Sequence, residues 1–204
     1  KSLESLFEEG WLEEKDKLPE NYLKVHLREG EYLSDHEGTI TPMIKNYTMT
    51  YLNLDCAGGK STYALKMIAK EIVPTLFDDS LVMMVKGNSV DLCVPYNSVA
   101  DDKSKGSRKD VKRLKTQCIA DFDENKRNVF IWNTVMPLYE KYFNLGTVKR
   151  LVLFFDESQK IVTDDYRWET VFDMFKVLPV MYKHFVFMTG TPAYEHEFLL
   201  QYFP

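Results

Sequence analysis

Residues 47–62 read YTMTYLNLDCAGGKST, and the character of the chain changes halfway along this stretch. Residues 47–54 are rich in β-branched and aromatic side chains, which favour a strand, whereas residues 61–72 after the glycine pair are helix-like. Further short apolar runs, bounded by polar or turn residues and separated by helix-length segments, lie at 81–85, 129–132, 151–155 and 184–188. This pattern predicts an α/β fold whose central parallel sheet is covered by helices on both faces.

The residues before this stretch have a different pattern. Apolar side chains recur there near helix spacing, at Leu3, Leu6, Phe7, Trp11 and Leu12. We therefore expect residues 1–46 to form a mostly helical extension that packs on the main body, and residues 47–204 to form one domain.

Composition and charge narrow the class of protein. The chain has 204 residues and a formal net charge of −5, which does not favour a surface coated with nucleic-acid-binding charge, although a local basic strip could still bind a nucleic acid. No apolar run approaches the roughly 18 residues that a membrane-spanning helix needs. The three cysteines include no CxxC pair and indicate neither a disulfide framework nor a zinc site. We expect an intracellular protein, cytoplasmic or nuclear.

The glycine pair and the residues after it have the form of a phosphate-binding loop. In such a loop backbone N–H groups surround the phosphates, a lysine meets the β- and γ-phosphates, and the next hydroxyl binds Mg²⁺. Lys60 and Ser61 hold those last two positions. The strict pattern has glycine where this chain has Leu54, so a plain helix entry with an exposed lysine stays open. The predicted nucleotide-binding residues are Ala57, Gly58, Gly59, Lys60, Ser61 and Thr62.

Two carboxylates follow the apolar run at 151–155. Ligands bind beyond the carboxyl ends of strands in open α/β sheets, so Asp156 and Glu157 are expected to face the phosphate loop. Asp156 would then hold Mg²⁺ together with Ser61, and Glu157 would act as general base on the attacking water. The alternative is a strand end followed by a solvated acidic turn.

These segments together resemble the first RecA-like domain of superfamily 2 (DExD/H-type) helicases and related nucleic-acid translocases. The resemblance covers about residues 47–200. It lies in motif I at residues 57–61, motif II at 156–159 and motif III, Thr-Gly-Thr-Pro, at 189–192. In that family motif III couples the state of the γ-phosphate to the nucleic-acid cleft. The resemblance implies a coupling role for Gln159, Thr189, Gly190 and Thr191.

The resemblance also implies an activity. It implies a RecA-like phosphate-loop NTPase domain that uses ATP and Mg²⁺, with Lys60, Asp156 and Glu157 as catalytic residues. RNA or DNA would be the partner, and hydrolysis would drive movement on it or its unwinding. A second RecA-like domain would supply an arginine finger. Because residues 193–204 are too few for that domain, we expect this piece to hydrolyse ATP slowly when isolated.

Two segments suggest contacts to a nucleic acid. Thr134 follows an apolar run, as does a backbone-contacting threonine of the family, and residues 85–88 lie where motif Ia would be. Residues 103–115, the basic strip, could hold a phosphate backbone or could be a solvated helix face or a mobile loop. Its cations are Lys103, Lys105, Arg108, Lys109, Lys112, Arg113 and Lys115.

Three other classes remain open. A nucleic-acid packaging motor shares the phosphate loop and the acid pair, but this stretch shows no nuclease or ring-assembly element. A small-molecule kinase should have an arginine-rich lid, and residues 193–204 contain no arginine. A non-catalytic nucleotide-binding module is favoured by the missing glycine and opposed by the intact catalytic residues.

Overall fold

The computed structural model describes residues 30–54, 58–67, 90–105 and 111–203. The strands of these residues are β1 Met49–Asn53, β2 Val90–Val94, β3 Val111–Arg113, β4 Arg127–Ile131, β5 Arg150–Phe155 and β6 Tyr182–Thr189. The α-helices are α1 Glu37–Asn46, α2 Lys60–Thr62, α3 Asn97–Ser104, α4 Val135–Leu138, α5 Lys160–Thr163, α6 Trp168–Met181 and α7 Glu195–Tyr202. Short 3₁₀ helices lie at Leu33–His36, Thr116–Asp121, Trp132–Thr134 and Asp165–Arg167, and π-helical turns at Tyr63–Met67 and Tyr139–Phe143.

The six strands form one sheet in the order β1-β6-β5-β2-β4-β3, and every neighbouring pair is parallel. Every residue of β2, β4 and β5 is buried. This burial explains the continuous apolar runs, because a strand covered on both faces favours apolar side chains at successive positions. The buried polar exceptions lie near the strand starts, at Asp91, Arg127, Asn128 and Arg150. The predicted α/β fold with a central parallel sheet is confirmed.

Alternate residues of β5 belong to different layers of the core. Leu153 and Phe155 pack in a cluster with Phe175 of α6 and Phe198 of α7. Val152 and Phe154 pack in a second cluster, together with α1 and α3 through the side chains Ile40, Ile44 and Ala100. Successive side chains of a strand point to opposite faces, so helices cover both faces of the sheet, as the sequence predicted.

Four of the predicted strands are confirmed as β1, β4, β5 and β6, with small changes at their ends. The run at 81–85 and the suggested motif Ia at 85–88 lie outside the described residues. Sequence analysis missed β2 and β3. Strand β3 is short and holds two cations, Lys112 and Arg113, and the apolar run of β2 is interrupted by Asp91.

Asp91 is a buried charge with a full set of partners. Arg150 donates to its carboxylate through Nε at 2.5 Å and Nη2 at 2.9 Å. Tyr182 Oη donates at 2.6 Å and the backbone N–H of Asn128 at 2.9 Å. Burial raises the pKa of the Tyr182 hydroxyl, and the Asp91 carboxylate raises it further. Asp91 and its partners therefore connect β2, β4, β5 and β6 near the amino ends of these strands.

The described part of the amino-terminal extension is helical and shares the domain's core. Leu33, Ile40 and Ile44 are buried against Leu52 of β1 and Tyr63. The backbone N–H of Leu33 also donates to the Gly58 carbonyl at 3.2 Å. Leu33 thus lies beside the glycine pair, while residues 1–29 lie outside the described part of the chain.

None of the helices in the described ranges is both long and apolar enough to cross a membrane.

Candidate functional site

Three of the segments singled out from the sequence meet at one edge of the sheet. Strand β1 ends at Asn53 just before the phosphate loop, β5 ends at Phe155 just before the acid pair, Asp156 and Glu157, and β6 ends at Thr189. All three strands are parallel, and β6 lies between β1 and β5. Their carboxyl ends therefore lie side by side, with motif III between motifs I and II.

The phosphate loop needs glycine at position 59. Gly59 has φ of 85°, in the left-handed region, and its carbonyl accepts a 2.8 Å hydrogen bond from the Tyr63 N–H as the helix begins. A residue with a Cβ is strained there by about 1 kcal/mol or more. Gly58 is half-buried, Thr62 is exposed on α2, and Ala57 lies outside the described residues.

Lys60 returns to the start of its own loop. Its Nζ donates to the Leu54 carbonyl at 2.6 Å, and the Leu54 N–H donates to the Thr189 carbonyl at 2.9 Å. The ammonium therefore lies beside the end of β1, next to the end of β6. The phosphate loop and motif III are in this way connected through Leu54.

The two predicted metal ligands contact the same cation. The Lys103 ammonium, from the end of α3, donates to Ser61 Oγ and lies 3.5 Å from Asp156 Oδ2. The Asp156 carboxylate is 4% exposed and the Lys103 side chain 28%. The hydroxyl and the carboxylate thus converge on one position that accepts positive charge. Oxygen ligands of these two kinds are those that Mg²⁺ uses together with substrate phosphates, so the residues fit a magnesium ion.

The electrostatics of Asp156 follow from its burial. Desolvation raises the pKa of this carboxyl, the Lys103 ammonium lowers it, and the neighbouring Glu157 carboxylate raises it. The net effect is a pKa above the usual value of an aspartate. A cation beside Asp156 therefore relieves an unfavourable buried charge.

Glu157 has an unusual backbone conformation. Its φ is 55°, in the left-handed region that non-glycine residues rarely adopt, and its N–H donates to Asp156 Oδ1 at 3.1 Å. Conformations of this kind cost about 1 kcal/mol or more and cluster at functional sites. The chain turns sharply here, and the half-buried Glu157 carboxylate accepts a 2.5 Å hydrogen bond from Gln159 Nε2.

A continuous chain of hydrogen bonds links motifs II and III. Gln159 donates to Glu157, as described, and its Oε1 accepts from Thr189 Oγ1 at 2.7 Å. Thr189 Oγ1 in turn accepts from the Thr191 N–H at 3.1 Å. Gly190 is half-buried between the two threonines. The structure thus connects Thr191 and Thr189 to Glu157 through Gln159.

Glu195 belongs to this edge as well, and sequence analysis missed it. Its buried carboxylate accepts hydrogen bonds from Tyr51 Oη at 2.6 Å, Ser158 Oγ at 3.2 Å and the Ala193 N–H at 2.7 Å. It therefore fastens the segment after motif III to β1 and motif II. An acidic residue in the first turn of a helix has no sequence signal for such a role, because acids are common there.

The same edge also carries Arg167. Its guanidinium donates to the Pro95 carbonyl at 2.8 Å and to Asn133 Oδ1 at 3.1 Å, and lies 4.1 Å from the centre of the Trp132 ring. Beside it, the Tyr96 hydroxyl donates to the Asp164 carboxylate. Burial raises the pKa of Tyr96, and the Asp164 carboxylate raises it further. This cluster holds the ends of β2 and β4 against the segment after β5.

Thr134 lies inside the domain rather than on its surface. Its side chain is fully buried, and its hydroxyl shares a 2.8 Å hydrogen bond with Thr116 Oγ1. A contact from Thr134 to a nucleic-acid backbone stays a prediction.

The basic strip is neither one helix face nor one loop. Lys103 and Lys105 lie at the end of α3, whereas Lys112 and Arg113 belong to β3; Arg108 and Lys109 lie outside the described residues. Acids from outside the strip neutralise part of it. Lys105 pairs with Asp102 at 2.6 Å, and Arg113 Nε with Asp101 at 2.8 Å. Lys103 points into the site rather than to solvent.

No known protein-family profile and no curated protein sequence matches the chain.

Proposed function

We propose that this chain is a RecA-like motor domain of the phosphate-loop type, which binds and hydrolyses ATP with Mg²⁺ for a nucleic-acid helicase or translocase. Its three motifs resemble those of the superfamily 2 helicases. RNA or DNA would bind across this domain and a second RecA-like domain.

One observation carries the proposal: Ser61 of motif I and Asp156 of motif II contact a single cation at the carboxyl edge of one parallel sheet. A solvated acidic turn after β5 would not bring a buried carboxylate and the hydroxyl after the loop lysine to one point. The contact joins residues far apart in the sequence, so local sequence pattern does not produce it.

The chain's own residues suggest how hydrolysis would proceed. The N–H groups of the phosphate loop and the Lys60 ammonium would bind the β- and γ-phosphates, and Ser61 and Asp156 would hold the metal. Bound Mg²⁺ would neutralise charge that develops on the phosphate oxygens. The oxygen of the attacking water would bond to the γ-phosphorus while Glu157 takes a proton from that water. The bond between the γ-phosphorus and the bridging oxygen would break, and that oxygen would leave with ADP.

The hydrogen-bond chain from Glu157 through Gln159 to Thr189 supports a coupling role. Loss of the γ-phosphate would change the surroundings of Glu157, and Gln159 would transmit that change to the end of β6. Such coupling needs two arrangements of this edge that nucleotide and nucleic acid stabilise to different degrees. We assign this role to Gln159, Thr189, Gly190 and Thr191.

A second candidate function is a nucleotide-binding module without catalysis. The Lys103 ammonium favours it, because a protein cation already contacts both groups that would hold the metal. The Glu157 conformation opposes it, since a strained carboxylate beside the site has no role in simple binding.

One variant tests nucleotide binding, which both candidates require, and a second separates the candidates by turnover. Lys60→Ala should weaken binding of a fluorescent ATP analogue about tenfold or more, because a charged hydrogen-bond donor to the phosphates is lost. Glu157→Gln should bind the analogue normally and lose about 10²-fold or more in phosphate release. Lys176→Ala, at an exposed lysine of α6, is the matched control.

Normal turnover in Glu157→Gln would exclude the motor function. No detectable turnover in the unmodified protein, with or without RNA or DNA, would favour the binding module.

A further inference from the structure

Lys103 has a position that the proposed reaction does not explain. It belongs to α3, outside all three motifs, and yet its ammonium bridges Ser61 Oγ and the Asp156 carboxylate. The other described cations at the end of this helix and in β3 behave differently. Lys105 pairs with Asp102 in an exposed position, and Arg113 binds Asp101 and Asn97.

The Lys103 ammonium and a magnesium ion would need the same two oxygen atoms. Two cations about 4 Å apart in a partly buried site repel one another strongly. The lone pairs of Ser61 Oγ that face the ammonium cannot bind a metal at the same time. Bound metal and the Lys103 contact therefore exclude one another.

Lys103 also compensates the burial of Asp156. The carboxylate is 4% exposed, and the ammonium is the cation nearest to it among the described ion pairs. Removing that ammonium leaves a buried charge without a cation, which destabilises the fold until another cation arrives. The lysine side chain is 28% exposed and has four rotatable carbon bonds, so it can leave toward solvent.

We propose that Lys103 is a built-in competitor for the metal: its ammonium occupies the magnesium position and must be displaced when Mg²⁺ and nucleotide bind. This inference rests on the proposed function, because it takes Ser61 and Asp156 as the metal ligands. Lys103 thereby lowers the affinity for Mg²⁺ alone and stabilises the buried Asp156 carboxylate before the metal binds.

The test uses Mg²⁺ alone and the substitution Lys103→Met, which removes the charge and keeps the aliphatic length. The melting temperature without metal should fall relative to the unmodified protein. Added Mg²⁺ should raise it more than in the unmodified protein, because a ligand that binds only the folded state stabilises it in proportion to its occupancy. The affinity for Mn²⁺, measured by electron paramagnetic resonance, should rise about fivefold or more. That is the lower end of the change in affinity that coupling between two sites usually causes.

Lys105→Met and Lys103→Arg are the matched controls. Lys105 lies two residues further along the chain with its ammonium on Asp102, so its loss should leave Mn²⁺ affinity unchanged. Arginine at position 103 keeps the charge and should keep the affinity near that of the unmodified protein. If Lys103→Met is too unstable for these measurements, Lys103→Gln gives the same comparison with a polar side chain.

The outcomes are distinct. Equal or weaker Mn²⁺ affinity in both Lys103→Met and Lys103→Gln, with normal binding by the unmodified protein, overturns the competitor role and leaves the proposed function standing. Absence of Mn²⁺ and nucleotide binding in every variant overturns both. Tighter Mn²⁺ binding that Asp156→Asn abolishes in the Lys103→Met background supports both.

Discussion

Thr189 Oγ1 donates a 2.7 Å hydrogen bond to Gln159 Oε1, which connects the end of β6 to the segment after β5. Both side chains are buried, and the Gln159 amide continues to the Glu157 carboxylate. A buried hydrogen bond between adjacent strand ends transmits a shift of either one to the other, because neither group has water as an alternative partner. Motif III is thereby joined to the proposed general base.

Thr189→Val removes this hydrogen bond while keeping the shape of the side chain. With a second RecA-like domain present, stimulation of ATP turnover by RNA or DNA should fall about fivefold or more, while nucleotide affinity without nucleic acid stays the same. The free energy of unfolding should fall by about 1–3 kcal/mol, because Gln159 Oε1 is left buried without a donor. Phosphate release with and without nucleic acid measures the first effect, and urea unfolding the second.

The control for this substitution is Thr163→Val, at an exposed threonine at the end of α5. It removes the same hydroxyl from the surface and should change neither quantity. Unchanged stimulation in Thr189→Val would exclude the coupling role of the Gln159–Thr189 contact, even if the fold were less stable.

Gly59→Ala tests the phosphate loop against a matched glycine elsewhere. Gly59 and Gly146 both have positive φ, of 85° and 64°, and an added Cβ would meet nothing closer than 3.9 Å and 3.6 Å respectively. Each alanine should therefore cost about 1 kcal/mol of stability through backbone strain alone. Only Gly59→Ala should also weaken binding of an ATP analogue, because it lies where the phosphates would approach. Equal nucleotide affinity in the two variants would exclude phosphate binding by this loop.

The buried ion pair in the sheet gives a prediction about stability alone. Asp91→Asn should lower the free energy of unfolding by about 3–5 kcal/mol, because the Arg150 guanidinium then lies buried without its carboxylate. Asp173→Asn breaks an exposed pair with Lys176 at 3.6 Å and should cost less than about 1 kcal/mol. Chemical denaturation of both variants measures the difference. A small loss in Asp91→Asn would show that solvent reaches this pair.

His184 predicts a pH dependence. Burial lowers the pKa of this imidazole below its reference value of 6.5, although its hydrogen bond with the Tyr47 carbonyl opposes the shift. The unfolded chain then binds more protons than the folded protein just below pH 6.5, so this contribution to stability is present above that pH and is lost as the pH falls through the folded pKa. The unmodified protein should lose stability over this window more steeply than His184→Gln. Parallel stability profiles of the two proteins would show that His184 titrates alike in both states.

Local pattern predicted the fold well because the sheet is buried on both faces. All six residues of β5 are buried and the five after Arg150 are apolar, and that apolar run is visible without a structure. Strand β2 escaped notice because Asp91 interrupts it, and this acid is stabilised by Arg150 and Tyr182, which lie far from it along the chain.

The site was less predictable for a related reason. The motif residues Lys60, Ser61, Asp156 and Glu157 could be named because their types and order are distinctive. Lys103 could not be separated from the rest of the basic strip, since only its contacts to Ser61 and Asp156 distinguish it. The burial of Thr134 could not be predicted, because its partner, Thr116, lies in a different turn.

The most direct test of the central proposal is the position of a bound metal. Crystals of the protein with Mn²⁺ and a non-hydrolysable ATP analogue should show, by anomalous scattering, one manganese ion about 2.1 Å from Ser61 Oγ, with the Asp156 carboxylate bound to it directly or through one water. The Lys60 ammonium should contact the phosphates of the same nucleotide. A metal ion or nucleotide bound at any other place, with Ser61 and Asp156 still on Lys103, would contradict the proposal.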